Sequence, residues 1–113
     1  MFLYNGNNIV VPAEELVIVE GFAGVWWLVQ NEFDNTVGLM SATCSTEQIE
    51  LIVGMVPRRG RIWGMTDGDQ AGQYCAESLL RQLAPYRMVR WLELKNGRKP
   101  QHCTADELRD MFF

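Results

Sequence analysis

The sequence predicts an α/β domain in which about four mostly parallel strands are flanked by helices. Short apolar runs rich in β-branched residues, such as Leu16 to Val19, are typical of strands that are buried on both faces of a sheet. Segments with apolar residues at helical spacing alternate with these runs. Alternating strands and helices in a chain of 113 residues indicate one domain with a parallel sheet covered by helices.

Four strands are predicted from apolar content and from the turn-forming residues around it. They are residues 16–19, 36–40, 61–66 and 88–94. The last strand is expected nearer an edge of the sheet, because its apolar and polar side chains alternate. Residues 1–15 are predicted to form an N-terminal arm or hairpin, and residues 16–113 the domain itself.

Four helices are predicted between and after the strands. They are residues 22–30, about 46–56, about 70–84 and about 105–112. Two of them begin with a capping box, in which a hydroxyl and a side chain three positions later satisfy free backbone N–H groups. These pairs are Ser45 with Gln48 and Thr104 with Glu107. The other two helices are predicted from the spacing of their apolar residues.

Composition and cysteine usage narrow the classes of function. Hydrophobic residues make up 48% of the chain, yet no apolar run approaches the roughly 20 residues that span a bilayer. No membrane association is therefore predicted. The N-terminus lacks the pattern of a secretory signal peptide, so a cytoplasmic protein is expected. Three widely spaced cysteines indicate neither a disulfide framework nor a zinc site.

Three acidic residues stand where predicted strands end. Glu20 follows the first strand, and Asp67 and Asp69 follow the third. The carboxyl ends of parallel strands meet at one edge of a sheet, so these side chains are expected to lie close together. Clustered carboxylates repel one another unless a cation is present, and hard oxygen ligands suit Mg²⁺. The pattern therefore predicts a magnesium site, while the alternative is an Asp-Gly-Asp turn with a helix N-cap.

Such a site favours phosphoryl or nucleotidyl transfer, because Mg²⁺ is usually held by one or two protein carboxylates together with substrate phosphate oxygens. Gly68 is expected to permit a tight turn with unusual backbone angles. Gly72 is expected to let the following helix approach the loop closely.

The net charge of the chain affects how it could bind nucleic acid. The net charge of −4 disfavours tight unassisted binding to a phosphate backbone, so DNA or RNA would need help from other domains or chains. Lys95, Arg98 and Lys99 follow the fourth strand and are predicted to lie at the same edge as the carboxylates. They could bind nucleic acid there by holding phosphates, and a solvated loop is the alternative.

Four motifs occur in the order and spacing of a known family. They are Val19-Glu20-Gly21-Phe22, Val37-Gly38-Leu39-Met40, Ser45-x-x-Gln48 and Asp67-Gly68-Asp69-x-Ala71-Gly72. Over about residues 16–110 the chain resembles the Toprim domain of bacterial DnaG-type primases, which has a Rossmann-like fold. The resemblance implies that Glu20, Asp67 and Asp69 form the catalytic metal site. In it, Glu20 would be the general acid or base, and Asp67 and Asp69 would bind Mg²⁺.

Two features depart from the primase pattern. Primases usually carry a glycine where Ser41 begins the loop after the second strand, and an Asp-Pro-Asp where this chain has Lys99-Pro100-Gln101. The second departure removes two acidic groups that would support a further metal ion. A primase also needs a zinc-binding module and a neighbouring subdomain, so we expect an orphan Toprim protein or a piece of a longer one.

The leading hypothesis is a Mg²⁺-dependent Toprim domain of the primase-like branch. It would carry out nucleotidyl transfer or other phosphodiester chemistry on nucleic acid in DNA replication or repair. Two alternatives stay open: a non-catalytic Toprim module for interaction or nucleic-acid binding, and a small Toprim nuclease in which water is the attacking group. The choice between DNA and RNA and the oligomeric state stay open as well.

Overall fold

The computed structural model describes residues 2–112, and its sheet confirms the predicted fold class. Within these residues, four parallel strands lie in the order β2-β1-β3-β4: β1 (Glu15–Val19), β2 (Thr36–Gly38), β3 (Arg61–Gly64) and β4 (Met88–Trp91). The last strand is at an edge, as predicted. The same residues form four α-helices: α1 (Phe22–Gln30), α2 (Thr46–Met55), α3 (Gln70–Leu83) and α4 (Ala105–Phe112). None of the helices described is long and apolar enough to cross a membrane.

The sheet separates the hydrophobic core into two layers, because successive side chains along a strand point to opposite faces. In one layer, Leu16 and Ile18 of β1 are buried with residues of α2 and α3, including Ile52 and Leu79. In the other layer, the alternate residues of β1 and β3 are buried with residues of α1 and α4. These include Val17, Val19, Trp63, Leu28 and Leu108. Helices on both faces therefore hold the central strands in place.

Three strands end earlier than the sequence predicts. β2 ends at Gly38 because Met40 has a φ of 64°, which lies outside the extended region. β3 and β4 end at Gly64 and Trp91 rather than at residues 66 and 94. Some backbone pairing continues past these ends, since the N–H of Met65 donates to the carbonyl of Ile18 at 2.9 Å. The helices begin and end close to the predicted residues.

The N-terminal segment is an irregular arm rather than a hairpin. It contains a 3₁₀ turn at Gly6–Asn8, and Tyr4 forms an isolated antiparallel bridge with Gly38 beside β2. Three apolar side chains of the arm are buried in the core: Leu3, Ile9 and Ala13. The division of the chain into an arm and a domain at residue 15 stays a prediction. The first and last residues of the chain, Met1 and Phe113, lie outside the described residues.

Helix α1 ends in a motif that puts a glutamate in the left-handed region. The N–H of Phe33 donates to the carbonyl of Leu28 at 2.9 Å, and the N–H of Glu32 to the carbonyl of Val29 at 3.0 Å. These are the two hydrogen bonds of a Schellman motif, whose left-handed position is usually filled by glycine. Glu32 has that position here, with a φ of 72°. A residue with a Cβ is strained there.

Replacement of Glu32 by glycine is expected to raise the free energy of unfolding by about 0.5–1 kcal/mol. Relief of the left-handed strain outweighs the extra entropy that glycine gives to the unfolded chain. The matched control is Glu50→Gly, the same change at an exposed position inside α2, which is expected to lower the free energy of unfolding by about 1 kcal/mol. Urea unfolding followed by circular dichroism measures both, and a loss of stability in Glu32→Gly would contradict the strain.

Candidate metal and phosphate site

The chain changes direction across the sheet between the two central strands. From β1 it runs through α1 to β2 on one side, and from β3 it runs through α3 to β4 on the other. Since α1 and α3 cover opposite faces, a crevice opens at the carboxyl ends of β1 and β3. Ligands bind at such crevices in open parallel sheets. Glu20 follows β1 and Asp67 follows β3, so both lie at this edge.

The carboxylate of Glu20 is tied to the loop after β3. Its Oε2 accepts a hydrogen bond from the backbone N–H of Asp67 at 2.7 Å. Burial raises the pKa of Glu20 above its ordinary value, that hydrogen bond opposes the rise, and the charges of Asp67 and Asp69 add to it. Burial also raises the pKa of Asp67, against the effect of Lys99. The structure therefore brings Glu20 and Asp67 to one place, and the charge of Asp69 is near enough to raise the pKa of both.

Asp69 has a second role at the start of α3. Its Oδ1 accepts a hydrogen bond from the backbone N–H of Gly72 at 2.7 Å, and its backbone is extended, as is usual at an N-cap. The N-cap role that the sequence left open is thus confirmed for Asp69. The cap engages one of its two carboxylate oxygens.

Two glycines let the acidic loop (residues 67–69) pack against its neighbours. A Cβ on Gly72 would overlap the carbonyl oxygen of Asp67, which confirms the predicted close approach of α3. The expectation of unusual backbone angles at Gly68 is wrong, because among the glycines of residues 2–112 only Gly97 has a positive φ. Gly68 is needed for space instead, since a Cβ there would lie 2.7 Å from the backbone nitrogen of Lys95.

The predicted basic residues lie in the segment that covers the acidic loop. Lys99 Nζ is 3.8 Å from Asp67 Oδ2, and Lys95 lines a pocket of about 210 Å³ together with the acidic loop. Arg98 is placed differently. Its guanidinium donates to both carboxylate oxygens of Glu107, at 2.9 and 3.1 Å, and this pairing lowers the pKa of Glu107 to about 2. The two lysines are therefore beside the carboxylates, while the Arg98 guanidinium is engaged with α4.

The carboxyl groups form an incomplete ligand set for a cation. Within residues 2–112, no three His, Cys, Asp or Glu side chains are grouped closely enough to hold a metal ion by themselves. Glu20 and Asp67, which are partly buried, and Asp69, which is exposed, nevertheless offer hard oxygen donors whose charges repel one another. These donors fit Mg²⁺, which usually completes its shell with water and with phosphate oxygens of a substrate.

Sequence reasoning did not single out two residues that line the site. Phe22 lines a cleft of about 150 Å³ that also contains Glu20, Asp67 and Lys99. Its position directly after Glu20-Gly21 was the available signal. Trp91 lines the pocket beside the acidic loop, and its indole N–H is buried without a hydrogen-bond partner in the part of the chain that the structure describes. No sequence pattern marks this tryptophan apart from a core residue.

Comparison with known proteins gives these features a family context. No protein-family model matches the sequence. The DNA primase of Pseudomonas aeruginosa is 34% identical over 114 aligned residues, which cover 97% of this chain and 17% of that protein. The crystal structure of a DNA primase domain from Pseudomonas aeruginosa matches 97% of this chain and 37% of that one, at 28% identity and a TM-score of 0.81. The chain is homologous to a segment of bacterial DNA primases.

The predicted resemblance to DnaG-type primases is thereby confirmed. A DnaG primase catalytic domain bound to single-stranded DNA has the same fold, with a TM-score of 0.74 at 23% identity, over 96% of this chain and 34% of that one. This primase-like chain spans about 17% of the length of the Pseudomonas aeruginosa primase.

The raised pKa of Glu20 predicts a pH-dependent stability. A carboxyl group whose pKa is higher in the folded state than in the unfolded state stabilises the fold at low pH, and this contribution is lost as the pH rises through the folded pKa. Glu20→Gln keeps an acceptor oxygen for the N–H of Asp67 but cannot ionise. Its free energy of unfolding, relative to the wild type, is expected to be higher at about pH 7.5 than at about pH 4. Urea unfolding without divalent cations tests this, and an equal difference at both pH values would refute a raised pKa.

The close approach of α3 predicts that Gly72→Ala is destabilising by about 3 kcal/mol or more, because a Cβ would overlap the backbone of Asp67. Gly54→Ala is the control, since a Cβ on this glycine of α2 meets no atom within 4 Å among residues 2–112. It is expected to stabilise the chain by about 0.5–1 kcal/mol. Thermal unfolding compares the two variants, and similar melting temperatures would rule out the close packing.

Proposed function

We propose that this chain is the Mg²⁺-binding part of a primase-like enzyme that performs nucleotidyl transfer on DNA or RNA in replication or repair. The observation that supports the proposal is the contact between Glu20 and the loop of Asp67 at the switch point of the sheet, with the charge of Asp69 nearby and Lys99 beside Asp67. Homology to DNA primases supports the same class of chemistry.

Each residue has a role that follows from its surroundings. Asp67 and Asp69 would hold Mg²⁺, which when bound neutralises charge on phosphate oxygens. Glu20 would act as the general acid or base, because its raised pKa makes its carboxylate a better proton acceptor than an ordinary glutamate. The hydrogen bond from the N–H of Asp67 would orient it by fixing one carboxylate oxygen.

The basic residues would hold the nucleic-acid backbone. Lys95 and Lys99 border the carboxylates on the side of the segment after β4, so their ammonium groups could neutralise phosphates next to the reacting one. Arg98 would reach a phosphate only by giving up its pair with Glu107, and in that pair it steadies the segment that carries both lysines.

A second candidate function is a non-catalytic module that binds nucleic acid or a replication partner. The position of Lys99 favours it, because its ammonium group already supplies positive charge 3.8 Å from Asp67. The incomplete ligand set within residues 2–112 and the net charge of −4 favour it too. A nuclease, the third candidate, would use the same carboxylates with water as the attacking group.

A magnesium titration of the wild type and of Asp67→Asn/Asp69→Asn tests the proposal. Millimolar Mg²⁺ is expected to bind the wild type and to stabilise it, by about 1.4 kcal/mol when its concentration is ten times the Kd. The double variant is expected to lose this response. The matched control is Asp34→Asn/Asp110→Asn, which removes the same charge at two exposed positions away from the crevice. This variant is expected to keep the stabilisation by Mg²⁺.

The same proteins are then incubated with a labelled oligonucleotide, Mg²⁺ and nucleoside triphosphates. Extension that is lost in the double variant and in Glu20→Gln supports nucleotidyl transfer, whereas shortening of the strand identifies a nuclease. A wild type that binds no Mg²⁺ at millimolar concentration and leaves the strand unchanged would refute the enzyme proposal in favour of the non-catalytic module.

A further inference from the structure

An exposed row of aromatic rings extends from the Glu20 cleft across α1. Phe22 lines the cleft, and its ring centroid lies 4.8 Å from that of Trp26 and 6.4 Å from that of Tyr4. Phe22 is 45% exposed and Trp26 is 58% exposed. Tyr4 is partly buried, and these three residues are called the aromatic row below.

The two adjacent tryptophans of α1 have different roles. Trp27 is half-buried and donates its indole N–H to the carbonyl of Cys103 at 2.7 Å, so it fastens α1 to the C-terminal part of the chain. Trp26 points away from the core, and its indole N–H donates to the hydroxyl of Tyr4 at 2.7 Å. That bond satisfies the one donor of the Trp26 ring and fixes the ring in place. What Trp26 offers to a ligand is therefore an apolar face.

The groove beside the row is lined by uncharged residues. A groove of about 450 Å³ runs along α1, and its lining is Tyr4, Asn5, Val25, Trp26, Val29 and Gln30. This lining contains no ionisable carboxylate that would repel phosphate. The cleft of about 150 Å³ that holds Glu20, Asp67 and Lys99 lies at the other side of Phe22. A path thus leads from the cleft, where the Lys99 ammonium group can pair with a phosphate, to the aromatic rings.

We propose that the aromatic row stacks the unpaired bases of a single-stranded nucleic acid whose phosphodiester backbone enters the Glu20 cleft. The inference rests on the proposed function, since a nucleic acid in the cleft is what would bring bases to Phe22. Stacking tolerates any sequence because every base has a π face, and it requires no net positive charge on the protein. The planes of Phe22 and Trp26 are inclined by 58°, so each ring takes a separate base.

The first test measures how tightly a dye-labelled oligodeoxythymidine binds, by fluorescence anisotropy in EDTA at low salt. Trp26→Ala is expected to weaken binding roughly tenfold, the loss of one stacked base, while Trp26→Phe retains most of the affinity. The control is Tyr86→Ala. Tyr86 is also 58% exposed, but it lies between α3 and the start of β4, at the amino ends of the strands and away from the Glu20 cleft. Its loss is expected to leave the affinity unchanged.

The second test uses a strand of the same length whose central sugars lack bases, so that the phosphates remain and the stacking partners do not. The wild type is expected to bind this strand more weakly than Trp26→Ala binds the intact strand, because Phe22 also loses its base. Trp26→Ala is expected to discriminate less between the two strands than the wild type does, because only Phe22 still stacks. Equal binding of both strands by the wild type, or no binding of either, overturns the inference. So does a change from dimer to monomer in Trp26→Ala on sedimentation, since the row would then cover a second copy.

Both binding tests are free of metal and of turnover, so their outcomes are separate from those of the proposed enzyme. Trp26-dependent binding without Mg²⁺ binding or strand extension would support the stacking role and refute the proposed enzyme activity. Strand extension that is unchanged in Trp26→Ala, together with equal affinity of the wild type for intact and base-free strands, would support the enzyme activity and refute the stacking role.

Discussion

The hydrogen bond from the backbone N–H of Asp67 to the carboxylate of Glu20 joins the ends of the two central strands, and the rest of the site depends on it. β1 and β3 pair in parallel, with Ile18 opposite Gly64, so the residues that follow them leave the sheet side by side. The hydrogen bond, 2.7 Å long, joins the residues that follow the two strands. It also fixes where the acidic loop starts, and hence where Asp69 begins α3.

That junction has an electrostatic cost. The pKa of Glu20 and of Asp67 is raised by burial and by neighbouring carboxylates, so the ionised cluster is less stable in the folded chain than its parts would be in water. Lys99 offsets part of the repulsion from the far side of the cleft. A site held in this state gains from a bound cation, which is a physical reason for a fold to keep carboxylates together at a switch point.

Patterns local in sequence predicted most of the fold, and contacts distant in sequence decided what was missed. Capping boxes and apolar spacing gave the helices, and apolar runs gave the strands, although the end of β2 depended on the positive φ of Met40. The meeting of Glu20 and Asp67 followed from the parallel direction of the strands. The reason for Gly68 did not, because the sequence predicts the segment of Lys95 near the carboxylates but not the contact of its backbone with Gly68. The pairing of Arg98 with Glu107 was missed because the sequence pattern assigns Glu107 only to its capping box.

Lys99 connects the departure from the primase pattern with the geometry of the site. In that pattern, an acidic residue stands where this chain has Lys99, and it would support a further metal ion. Here the side chain at this position carries the opposite charge, and its ammonium nitrogen lies 3.8 Å from Asp67 Oδ2. The charge of the cluster is then balanced with one cation fewer. For the proposed enzyme, this charge balance would favour one Mg²⁺ held by Asp67 and Asp69, with Lys99 available to a phosphate.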